Sequence, residues 1–396
     1  MKTKTDAALI ETFLTRGVEN LFPSKAFLKK RLEEGKQLTM YLGIDPTGPT
    51  LHLGHIIPLR KLRQFQDMGH KVILLIGDFT GMIGDPSDKS ATRQRLTREQ
   101  VLENAKLYKK QASQILRFDG ENPAELKYNS TWLSKMSFGD VLELCAHYSV
   151  QQMLERDMFD RRLKDEKPIY IHEFLYPLMQ GYDTVAMDVD GEIGGNDQTF
   201  NMLAGRTLMK EMKQKEKFVV AMKLLVDPSG KKMGKTEGNM ITLQDSADEM
   251  FGKVMSWTDG MILGGFELLT DVPLKEVDTS LKKENPRDVK MRLAELTASS
   301  FHGEAAAQQA REHFIALFQR HETSLSDVPE LKIKGKMMLI DMLVAAKLVT
   351  SKSEARRVLD EGGVKVNEEV VKDGKVEISP GALVQKGKRH FVRLVK

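Results

Sequence analysis

The chain has 396 residues, 41% of them hydrophobic, and carries a formal net charge of +4. This length and composition are typical of a soluble enzyme with two or three domains. Its single cysteine excludes an internal disulfide framework, and its longest apolar run, residues 72–76, is too short to cross a membrane. The start of the chain lacks the apolar run of a secretion signal, so we expect a cytoplasmic protein that does not bind membranes.

The positive charge is concentrated at the end of the chain. Residues 333–396 hold 14 Lys and Arg against 8 Asp and Glu, whereas the rest of the chain carries slightly more acidic than basic side chains. A small cationic region on a nearly neutral protein is typical of binding to a nucleic-acid backbone. A basic surface that only faces solvent is the alternative.

The first 245 residues alternate strand-like and helix-like segments, which predicts an α/β domain with a parallel sheet. Residues 40–44 and 71–77 are short apolar strands, and residues 58–69 have helical spacing and end on a glycine suited to cap a helix. Gly and Asp residues follow the strands at residues 43–45, 77–78 and 194–197. Ligands of parallel sheets bind beyond the carboxyl ends of the strands, so we expect a ligand site there.

The first strand leads through a Gly- and Pro-containing turn to the sequence HLGH at residues 52–55. We expect His52 and His55 to lie at a helix N-terminus, which favours anions, beside the backbone-permissive Gly54. Pro58 is placed in the first turn of this helix, where a missing N–H costs no helical hydrogen bond. Two histidines at this spacing are also half of a zinc site, but no Glu follows the first histidine and no third ligand is evident nearby.

A second basic motif, KMGKT at residues 232–236, follows the turn-forming residues 227–230. Lys232 and Lys235 carry ammonium groups three residues apart around a glycine, so both can reach one cleft from a loop. A polyphosphate is the natural ligand, although a solvated basic turn is the ordinary alternative. The histidine and lysine motifs together, in this order, resemble the two signatures of class I aminoacyl-tRNA synthetases.

The region from residue 246 to residue 326 is predicted to be helical. Asn285 is followed by proline and begins one helix as its N-cap, and a further helix is predicted for residues 304–319. Residues 321–336, with Ser, Pro, Gly and mixed charge, are the best candidate for a linker. Earlier in the chain, residues 89–172 are expected to hold only helices and short loops, without an editing domain.

The cationic end, residues 333–396, is predicted to form a small α+β domain. A helix at residues 337–347 precedes a capping-box sequence at residues 351–354, which opens a second helix that ends at Gly362. Strand-like residues 364–367 follow. This progression resembles the S4 RNA-binding module. The residues that would contact RNA phosphates by this resemblance are Lys352, Arg356 and Arg357.

Over essentially its full length the chain resembles the bacterial tyrosyl-tRNA synthetases. The matching motifs are YLGIDPT at residues 41–47, IGDPS at 83–87, Tyr176 through Asp183, and IGGNDQ at 193–198. The resemblance implies a Rossmann-like parallel-sheet catalytic domain (1–245), an α-helical domain for the anticodon region of tRNA (246–326) and an S4 domain (333–396). Tryptophanyl enzymes share the first two parts and lack the third.

The resemblance also implies a tyrosine site and an ATP site. The phenolic hydroxyl of tyrosine would be held by Tyr41 and Asp183, and its ammonium group by Asp85, Tyr176 and Gln180. The ATP site would comprise Gly43, Asp45, Thr47, His52, Gly54, His55, Lys89, Arg93, Gly195, Asp197, Lys232 and Lys235. The catalytic residues among these, which would stabilise the leaving pyrophosphate, are His52, His55, Lys232 and Lys235.

The reaction and the partners follow from the same resemblance. The enzyme would activate L-tyrosine with ATP, used as its Mg²⁺ complex, and pass the tyrosyl group to tRNA(Tyr), with no tightly bound cofactor and no metal site. Family members are homodimers. Three alternatives stay open at this point: a tryptophanyl-type synthetase, a catalytically retired S4 paralogue that binds RNA, and another nucleotidyl-transferring enzyme.

Overall fold

The computed structural model describes residues 2–85, 96–155, 157–226, 240–318, 328–333, 335–346, 348–349, 351–367, 369–387 and 390–395. The chain divides into two compact units, residues 1–311 and 312–396.

The described α-helices are, in chain order, α1 (Ala7–Thr15), α2 (Lys25–Glu33), α3 (Leu53–Asp67), α4 (Thr80–Ile83), α5 (Arg98–Ala105), α6 (Tyr108–Ala112), α7 (Ser130–Leu133), α8 (Phe138–Ala146), α9 (Val150–Leu154), α10 (Asp157–Lys164), α11 (Ile171–Met187), α12 (Thr199–Lys213), α13 (Ala247–Met255), α14 (Ile262–Leu269), α15 (Leu274–Lys283), α16 (Pro286–His302), α17 (Glu304–Phe318), α18 (Leu339–Ala345) and α19 (Lys352–Asp360). The strands are β1 (Val18–Phe22), β2 (Thr39–Ile44), β3 (Lys71–Ile76), β4 (Glu125–Tyr128), β5 (Gly191–Gly195), β6 (Phe218–Met222), β7 (Glu330–Lys332), β8 (Met337–Met338), β9 (Val364–Val366), β10 (Glu369–Val370), β11 (Glu377–Ile378), β12 (Leu383–Lys386) and β13 (His390–Val395).

A six-stranded sheet forms the centre of the first unit, in the order β1-β6-β5-β2-β3-β4. The pairs from β6 to β4 are all parallel, so the predicted α/β fold with a parallel sheet is confirmed. β1 is an antiparallel addition at one edge, with Val18 opposite Met222. The inner strands β3 and β6 are apolar and buried on both faces because helices cover both sides of such a sheet.

The order of the strands reverses between β2 and β5. From β2 the chain builds outward through β3 and β4, whereas β5 and β6 are added on the other side of β2. Such a reversal opens a crevice at the carboxyl ends of the two central strands, where ligands of open α/β sheets bind. The segments that follow β2 and β5 are those that carry the predicted nucleotide residues.

The expectation that residues 89–172 hold only helices and loops is wrong, because β4 lies among them. β4 pairs in parallel with β3 at the edge of the sheet, from Ile73 opposite Glu125 to Ile76 opposite Tyr128. Its sequence, ELKY, has only partly buried or exposed side chains. A short edge strand of this kind lacks the apolar run that marks the inner strands.

The helix that carries HLGH begins earlier than predicted, and the placement of Pro58 in its first turn is wrong. α3 starts at Leu53 with His52 as N-cap, so Pro58 lies in the helix interior. Its ring removes the hydrogen bond that would reach the carbonyl group of Gly54. The predicted end at Gly69 is confirmed, since this residue has a φ of +90° beyond the last turn.

Helices α13 to α16 follow the sheet within the first unit. Asn285 caps α16 as predicted, with its side chain accepting a hydrogen bond from the backbone N–H of Arg287. Arg16, near the start of the chain, donates to the carbonyl groups of Phe266, Thr270 and Val272 at 2.8 to 2.9 Å. The carbonyl groups of Thr270 and Val272 lie just beyond the end of α14, and that of Phe266 lies in its last turn, where it also accepts from Thr270. Arg16 therefore ties the N-terminal segment to the helical region.

The second unit contains a five-stranded sheet, in the order β10-β9-β12-β13-β7, a two-stranded sheet of β8 and β11, and helices α18 and α19. The predicted α+β character is confirmed. The linker expected at residues 321–336 is wrong for residues 330–332, because these form β7 and pair in parallel with β13. The helix expected to start at Met337 starts at Leu339, since Met337 and Met338 pair with β11.

His70, which precedes β3, is completely buried and held in its neutral form. Its Nδ1 accepts a hydrogen bond from the backbone N–H of Leu38 at 3.2 Å, and its ring stacks on Phe65 at 4.3 Å. Burial lowers the pKa of His70 from 6.5 to about 4. Protonation would place a hydrogen on Nδ1 and break the bond to Leu38.

This histidine is expected to make the protein less stable in acid. As pH falls below 6.5 the unfolded chain binds a proton at residue 70, whereas the folded chain does not until about pH 4, so stability is lost in this window. Between pH 7 and pH 5 the loss amounts to about 2 kcal/mol in the free energy of unfolding. Denaturant unfolding at both pH values measures it. His70→Asn, whose Oδ1 can replace Nδ1 as acceptor, should show a smaller loss, and an equal loss in both proteins would contradict the assignment.

Candidate active site

The crevice between β2 and β5 brings together the first predicted nucleotide residues. Gly43 lies near the end of β2 and Asp45 directly after it, while Gly195 ends β5 and Asp197 follows in a short 3₁₀ helix. The register, with Tyr41 opposite Glu192, places the two strand ends side by side. Thr47 follows in the turn after β2 and is half-buried.

The Asp45 carboxylate joins two parts of the site. One oxygen accepts a hydrogen bond from Thr80 Oγ1 and the other from Tyr176 Oη, each at 2.7 Å. Gly77, at the end of β3, leaves the room for this carboxylate, because a Cβ atom there would overlap it. Burial and the charges of Asp45 and Asp85 raise the pKa of Tyr176 well above its ordinary value, so its hydroxyl stays a donor.

The two histidines adopt a fixed geometry at the start of α3. His52 Nδ1 accepts from the backbone N–H of Gly54 at 3.1 Å, and His55 Nδ1 accepts from the backbone N–H of His52 at 3.2 Å. Their rings lie 3.9 Å apart between centroids. Because both Nδ1 atoms accept, each ring in its neutral form carries its hydrogen on Nε2. Gly54 is required, since a Cβ there would lie 2.8 Å from the His52 ring.

The segment directly after the lysine motif is bonded to the histidine motif. Leu53 N–H donates to the carbonyl group of Ile241, and Leu243 N–H donates to that of Leu51, both at 3.0 Å. The chain therefore returns to the start of α3 within a few residues of KMGKT. The predicted residues outside the described part of the chain are Lys89, Arg93, Lys232 and Lys235, together with the turn at 227–230.

Asp183, on α11, is buried and its carboxylate accepts two hydrogen bonds. Trp132 Nε1 donates to Oδ1 at 2.7 Å and Asn129 Nδ2 donates to Oδ2 at 3.2 Å. Burial raises the pKa of Asp183 well above its usual range, and these two donors act in the opposite direction. A carboxylate has about four lone pairs, so two remain to accept from a ligand.

Tyr41, on β2, is fully buried, and its hydroxyl group lies 3.0 Å from Thr184 Oγ1. Burial, with the charges of Glu192 and Asp183, raises the pKa of this phenol well above its ordinary value. Tyr41 and Asp183 thus offer a hydroxyl group and a carboxylate, which together match both the donor and the acceptor of a ligand hydroxyl.

The three residues predicted for the ammonium group of tyrosine lie on two separate segments. Tyr176 and Gln180 lie one turn apart on α11, and Asp85 follows α4. Gln180 Nε2 donates to Glu192 at 2.9 Å, and Asp85 accepts from Gln198 Nε2 at 2.6 Å. Carboxylate, phenol and amide oxygens are the acceptors an ammonium group needs.

Sequence reasoning missed the residues that support these side chains, namely Thr80, Asn129, Trp132 and Thr184. Asn129 links several of them, since it also bonds to Thr80 Oγ1 at 3.0 Å. It directly follows β4, at the carboxyl edge of the sheet. The signal that could have found it, a polar residue after a parallel strand, was hidden because β4 itself was not predicted.

The predicted RNA-binding residues lie on α19 in the second unit. Lys352, Arg356 and Arg357 are exposed, while Ala355 and Leu359 on the other face are buried. Lys352 Nζ lies 2.6 Å from Asp341 Oδ1. The side chain of Ser351 caps the helix as the sequence predicts, by accepting from the N–H of residue 354.

Comparison with known proteins identifies the family. The family described as "tRNA synthetases class I (W and Y)" matches residues 33–319, and the "Tyrosine--tRNA ligase SYY-like C-terminal domain" matches residues 321–394. The tyrosine–tRNA ligase of Haemophilus ducreyi is 45% identical over 401 residues, which cover 100% of this chain and 99% of that protein. The chain belongs to the tyrosine–tRNA ligases. It is therefore an enzyme of the class I aminoacyl-tRNA synthetases.

The chain is also similar to other tyrosine–tRNA ligases. That of Thermotoga maritima is 44% identical, with 96% of each chain covered. A C-terminally truncated mitochondrial tyrosyl-tRNA synthetase of Coccidioides posadasii, 25% identical, superposes with a TM-score of 0.64 over 78% of this chain and 92% of that one. The tyrosyl-tRNA synthetase of Archaeoglobus fulgidus, at 20% identity and a TM-score of 0.62, shares the fold. The tyrosine family is thereby favoured over a tryptophanyl one.

Two features are absent from the described residues of this tyrosine–tRNA ligase. No helix among them combines the length and apolar character needed to span a bilayer. In the same part of the chain, no group of three or more His, Cys, Asp or Glu side chains is arranged to hold a metal ion.

Proposed function

We propose that this tyrosine–tRNA ligase works in two steps at the crevice between β2 and β5. L-tyrosine reacts with ATP, supplied as its Mg²⁺ complex, to give tyrosyl-adenylate and pyrophosphate. The tyrosyl group then passes to a ribose hydroxyl at the 3′ end of tRNA(Tyr), and AMP leaves. The observation that carries the proposal is the buried pair of Tyr41 and Asp183, which lies beside a strand-end crevice that opens toward a helix N-terminus with two histidines.

The tyrosine side of the site has one end for the phenolic hydroxyl of the substrate and another for its ammonium group. Tyr41 and Asp183 meet the phenolic hydroxyl, because a buried hydroxyl needs both a donor and an acceptor. The substrate ammonium group lies toward Asp85, Tyr176 and Gln180. The bond from Tyr176 to Asp45 supports this arrangement, because it connects the amino-acid residues to the residues at the end of β2.

On the nucleotide side, the strand ends contact adenosine and the basic residues contact phosphate. Gly43 and Gly195 let the nucleotide approach the backbone, and Asp197, which is exposed after β5, accepts from the ribose hydroxyls. The phosphates lie at the start of α3. The backbone of Thr47 belongs to the turn before this helix, and that of Gly54 belongs to its first turn. The cations and histidines assigned to the phosphates are His52, His55, Lys89, Arg93, Lys232 and Lys235.

The chemistry requires neither a covalent intermediate on the enzyme nor a strong general base. The tyrosine carboxylate attacks the α-phosphorus of ATP in line with the leaving pyrophosphate. The protein holds the two substrates in reach of one another and stabilises the charge that develops on the leaving group. The Nε2–H groups of His52 and His55 are suited to this task, because their orientation is set by the backbone bonds to Nδ1.

ATP–pyrophosphate exchange with each aromatic amino acid in turn tests this function. We expect exchange with tyrosine and none of comparable rate with tryptophan or phenylalanine. Exchange that depends on tryptophan would contradict the assignment of the amino acid. Exchange with none of the three would indicate a catalytically retired protein.

We also propose that residues 246–326 and 333–396 hold the tRNA. The exposed cations on α19 support a role for the S4-like region, because Lys352 and Arg356 lie one helical turn apart and Arg357 lies beside them. Cations arranged in this way neutralise neighbouring phosphates.

Reversing the charge of α19 is expected to separate tRNA binding from the chemistry. Arg356→Glu with Arg357→Glu should leave tyrosine-dependent exchange intact, weaken tRNA binding and reduce its dependence on salt, by roughly one in the log–log slope per lost phosphate contact. Binding measured across a salt titration gives both quantities. A chain shortened to end at residue 320 should also catalyse tyrosine-dependent ATP–pyrophosphate exchange but should no longer charge tRNA with tyrosine.

A matched control lies on α2, where Lys29 and Lys30 are also adjacent and exposed. Lys29→Glu with Lys30→Glu makes the same change in net charge in the other unit. Equal weakening of tRNA binding by both double variants would show a general charge effect. Normal charging by the α19 variant across the titration would show that its basic surface only faces solvent.

We propose that the enzyme is a cytoplasmic homodimer. Large exposed apolar side chains are concentrated between residues 138 and 171: Phe138, Leu142, Val150, Leu163, Tyr170 and Ile171. Phe138 and Ile171 are 78% and 80% exposed, which is unusual for such side chains unless a partner covers them. A mass measurement in solution tests the dimer.

A further inference from the structure

A lysine is buried behind the tyrosine pocket. Lys217 directly precedes β6 and has no exposed surface. Its ammonium group donates to the Glu192 carboxylate, to Thr184 Oγ1 at 2.9 Å and to the carbonyl group of Met202 at 3.1 Å. All three of its hydrogens therefore have acceptors, and its charge is paired.

This arrangement favours one direction for the next hydrogen bond, in which either hydroxyl group can donate. An ammonium group has no lone pair, so Thr184 must accept from Lys217 and keeps its own hydroxyl hydrogen to donate. Its other partner is Tyr41 Oη at 3.0 Å. When Thr184 donates to Tyr41, the bond between them does not use the hydroxyl hydrogen of Tyr41, which can then be donated to another group. In the structure this hydrogen has two acceptors nearby, the carbonyl group of Gln180 at the long distance of 3.5 Å and the carboxylate of Glu192.

We propose that Lys217 and Thr184 are positioning residues for substrate specificity, because they fix the direction of the hydrogen bonds so that Tyr41 presents its O–H as a donor to the hydroxyl of the amino-acid substrate. The chain of donors runs from Lys217 through Thr184 and Tyr41 to the substrate and ends on the Asp183 carboxylate. This inference rests on the proposed role of Tyr41 and Asp183 in binding the phenolic hydroxyl.

The surroundings are shaped to hold the ammonium group in place. Gly205 on α12 faces it, and a Cβ atom there would lie 2.5 Å from Lys217 Nζ and 2.8 Å from Thr184 Oγ1. Glu192 neutralises the charge and at the same time accepts from Gln180 Nε2 at 2.9 Å. The same buried pair thus orients residues at both ends of the proposed tyrosine site.

Stability alone does not account for this pair. Removing two charges from water is costly, and buried ion pairs are often no more stabilising than apolar side chains of the same volume. An apolar pair would leave Thr184 and Tyr41 free to bond in either direction. With Lys217 present, donation to Tyr41 is the direction that gives the Thr184 hydrogen an acceptor. A phenylalanine side chain would leave the Tyr41 donor with the Gln180 carbonyl at 3.5 Å and the Glu192 carboxylate, whose oxygens already accept from Gln180 and Lys217.

Substitutions at Thr184 test the proposal with a matched control. Thr184→Val removes the hydroxyl at constant shape, whereas Thr184→Ser keeps it. We expect the valine variant to lower kcat/KM for tyrosine in the exchange assay by about tenfold, mainly through KM, and to leave kcat/KM for phenylalanine unchanged. The serine variant should retain the preference of the unmodified enzyme.

A second substitution removes the other end of the chain without leaving a lone charge. Lys217→Met with Glu192→Gln should lower the ratio of tyrosine to phenylalanine activity in the same way. Thermal unfolding shows whether this double variant is folded. If it is not, the Thr184 variants still test the proposal. An unchanged ratio in Thr184→Val, or an equal loss for both amino acids, would overturn the inference. Failure of the unmodified enzyme to exchange with tyrosine would instead contradict the proposed function.

Discussion

Replacing Asp183 with asparagine is expected to lower kcat/KM for tyrosine by on the order of 10²-fold and to leave the small activity with phenylalanine nearly unchanged. The carboxylate already accepts from Trp132 and Asn129, and its remaining lone pairs are those that the proposal assigns to the substrate. An amide has one oxygen, so one donor that now faces the carboxylate would face an NH₂ group. ATP–pyrophosphate exchange with both amino acids, at high enzyme concentration for phenylalanine, measures the change.

Two further variants provide a weaker change at the same site and a control for this result. Tyr41→Phe should change the preference in the same direction by a smaller factor, because it removes a neutral partner and leaves the carboxylate in place. Asp278→Asn makes the same chemical change at an exposed site on α15 and should have no effect. A full preference for tyrosine in Asp183→Asn would place recognition of the hydroxyl elsewhere.

Replacing His52 with asparagine is expected to slow adenylate formation by on the order of 10²-fold and to leave the affinity for tyrosine unchanged. The oxygen of asparagine can accept from Gly54 N–H as Nδ1 does, so the N-cap of α3 is kept. What is lost is the Nε2–H donor that would meet the pyrophosphate. Single-turnover kinetics with ATP and tyrosine measures the step.

Lys235→Ala should slow the same step by a similar factor, since both residues are assigned to the leaving group. The exposed Lys36 provides a control, and Lys36→Ala should leave the rate unchanged. An unchanged rate in Lys235→Ala would remove the lysine motif from the mechanism. A loss of folded protein on treatment with a chelator would instead indicate a metal at His52 and His55.

Elements with strong local signals could be predicted from the sequence. β2 and β3 are apolar runs that end in glycine and aspartate, and α16 begins with an Asn-Pro pair that caps it. In these segments local preference and tertiary burial agree, so a short window of sequence is enough. The motifs for the site were found for the same reason, because they lie next to such strands.

Elements that depend on distant partners could not be predicted in this way. β4 is a half-exposed strand of four residues, and β7 becomes a strand only because β13 lies beside it. Pro58 was misplaced because the helix start depends on how His52 and His55 bond to the backbone. These features are decided by contacts that no window of neighbouring residues contains.

The same limit applies to the site. Lys217 and Thr184 stand in ordinary positions, one before a strand and one inside a helix, and nothing in their neighbours marks them. Their importance comes from burial and from the three acceptors around one ammonium group. Such a cluster becomes visible only when β6 and helices α11 and α12 are packed together.

The order of the strands has a consequence for synthesis of the chain on the ribosome. β2 and β3 are near neighbours in sequence and can pair early, but the crevice at the ends of β2 and β5 cannot form until β5 has been made. β1, although among the first residues to emerge, has only β6 as its partner, so Val18 must wait for Met222. Pairing between segments so distant in sequence is slow, and the first strand to be translated cannot join this sheet before its last strand, β6, has been made.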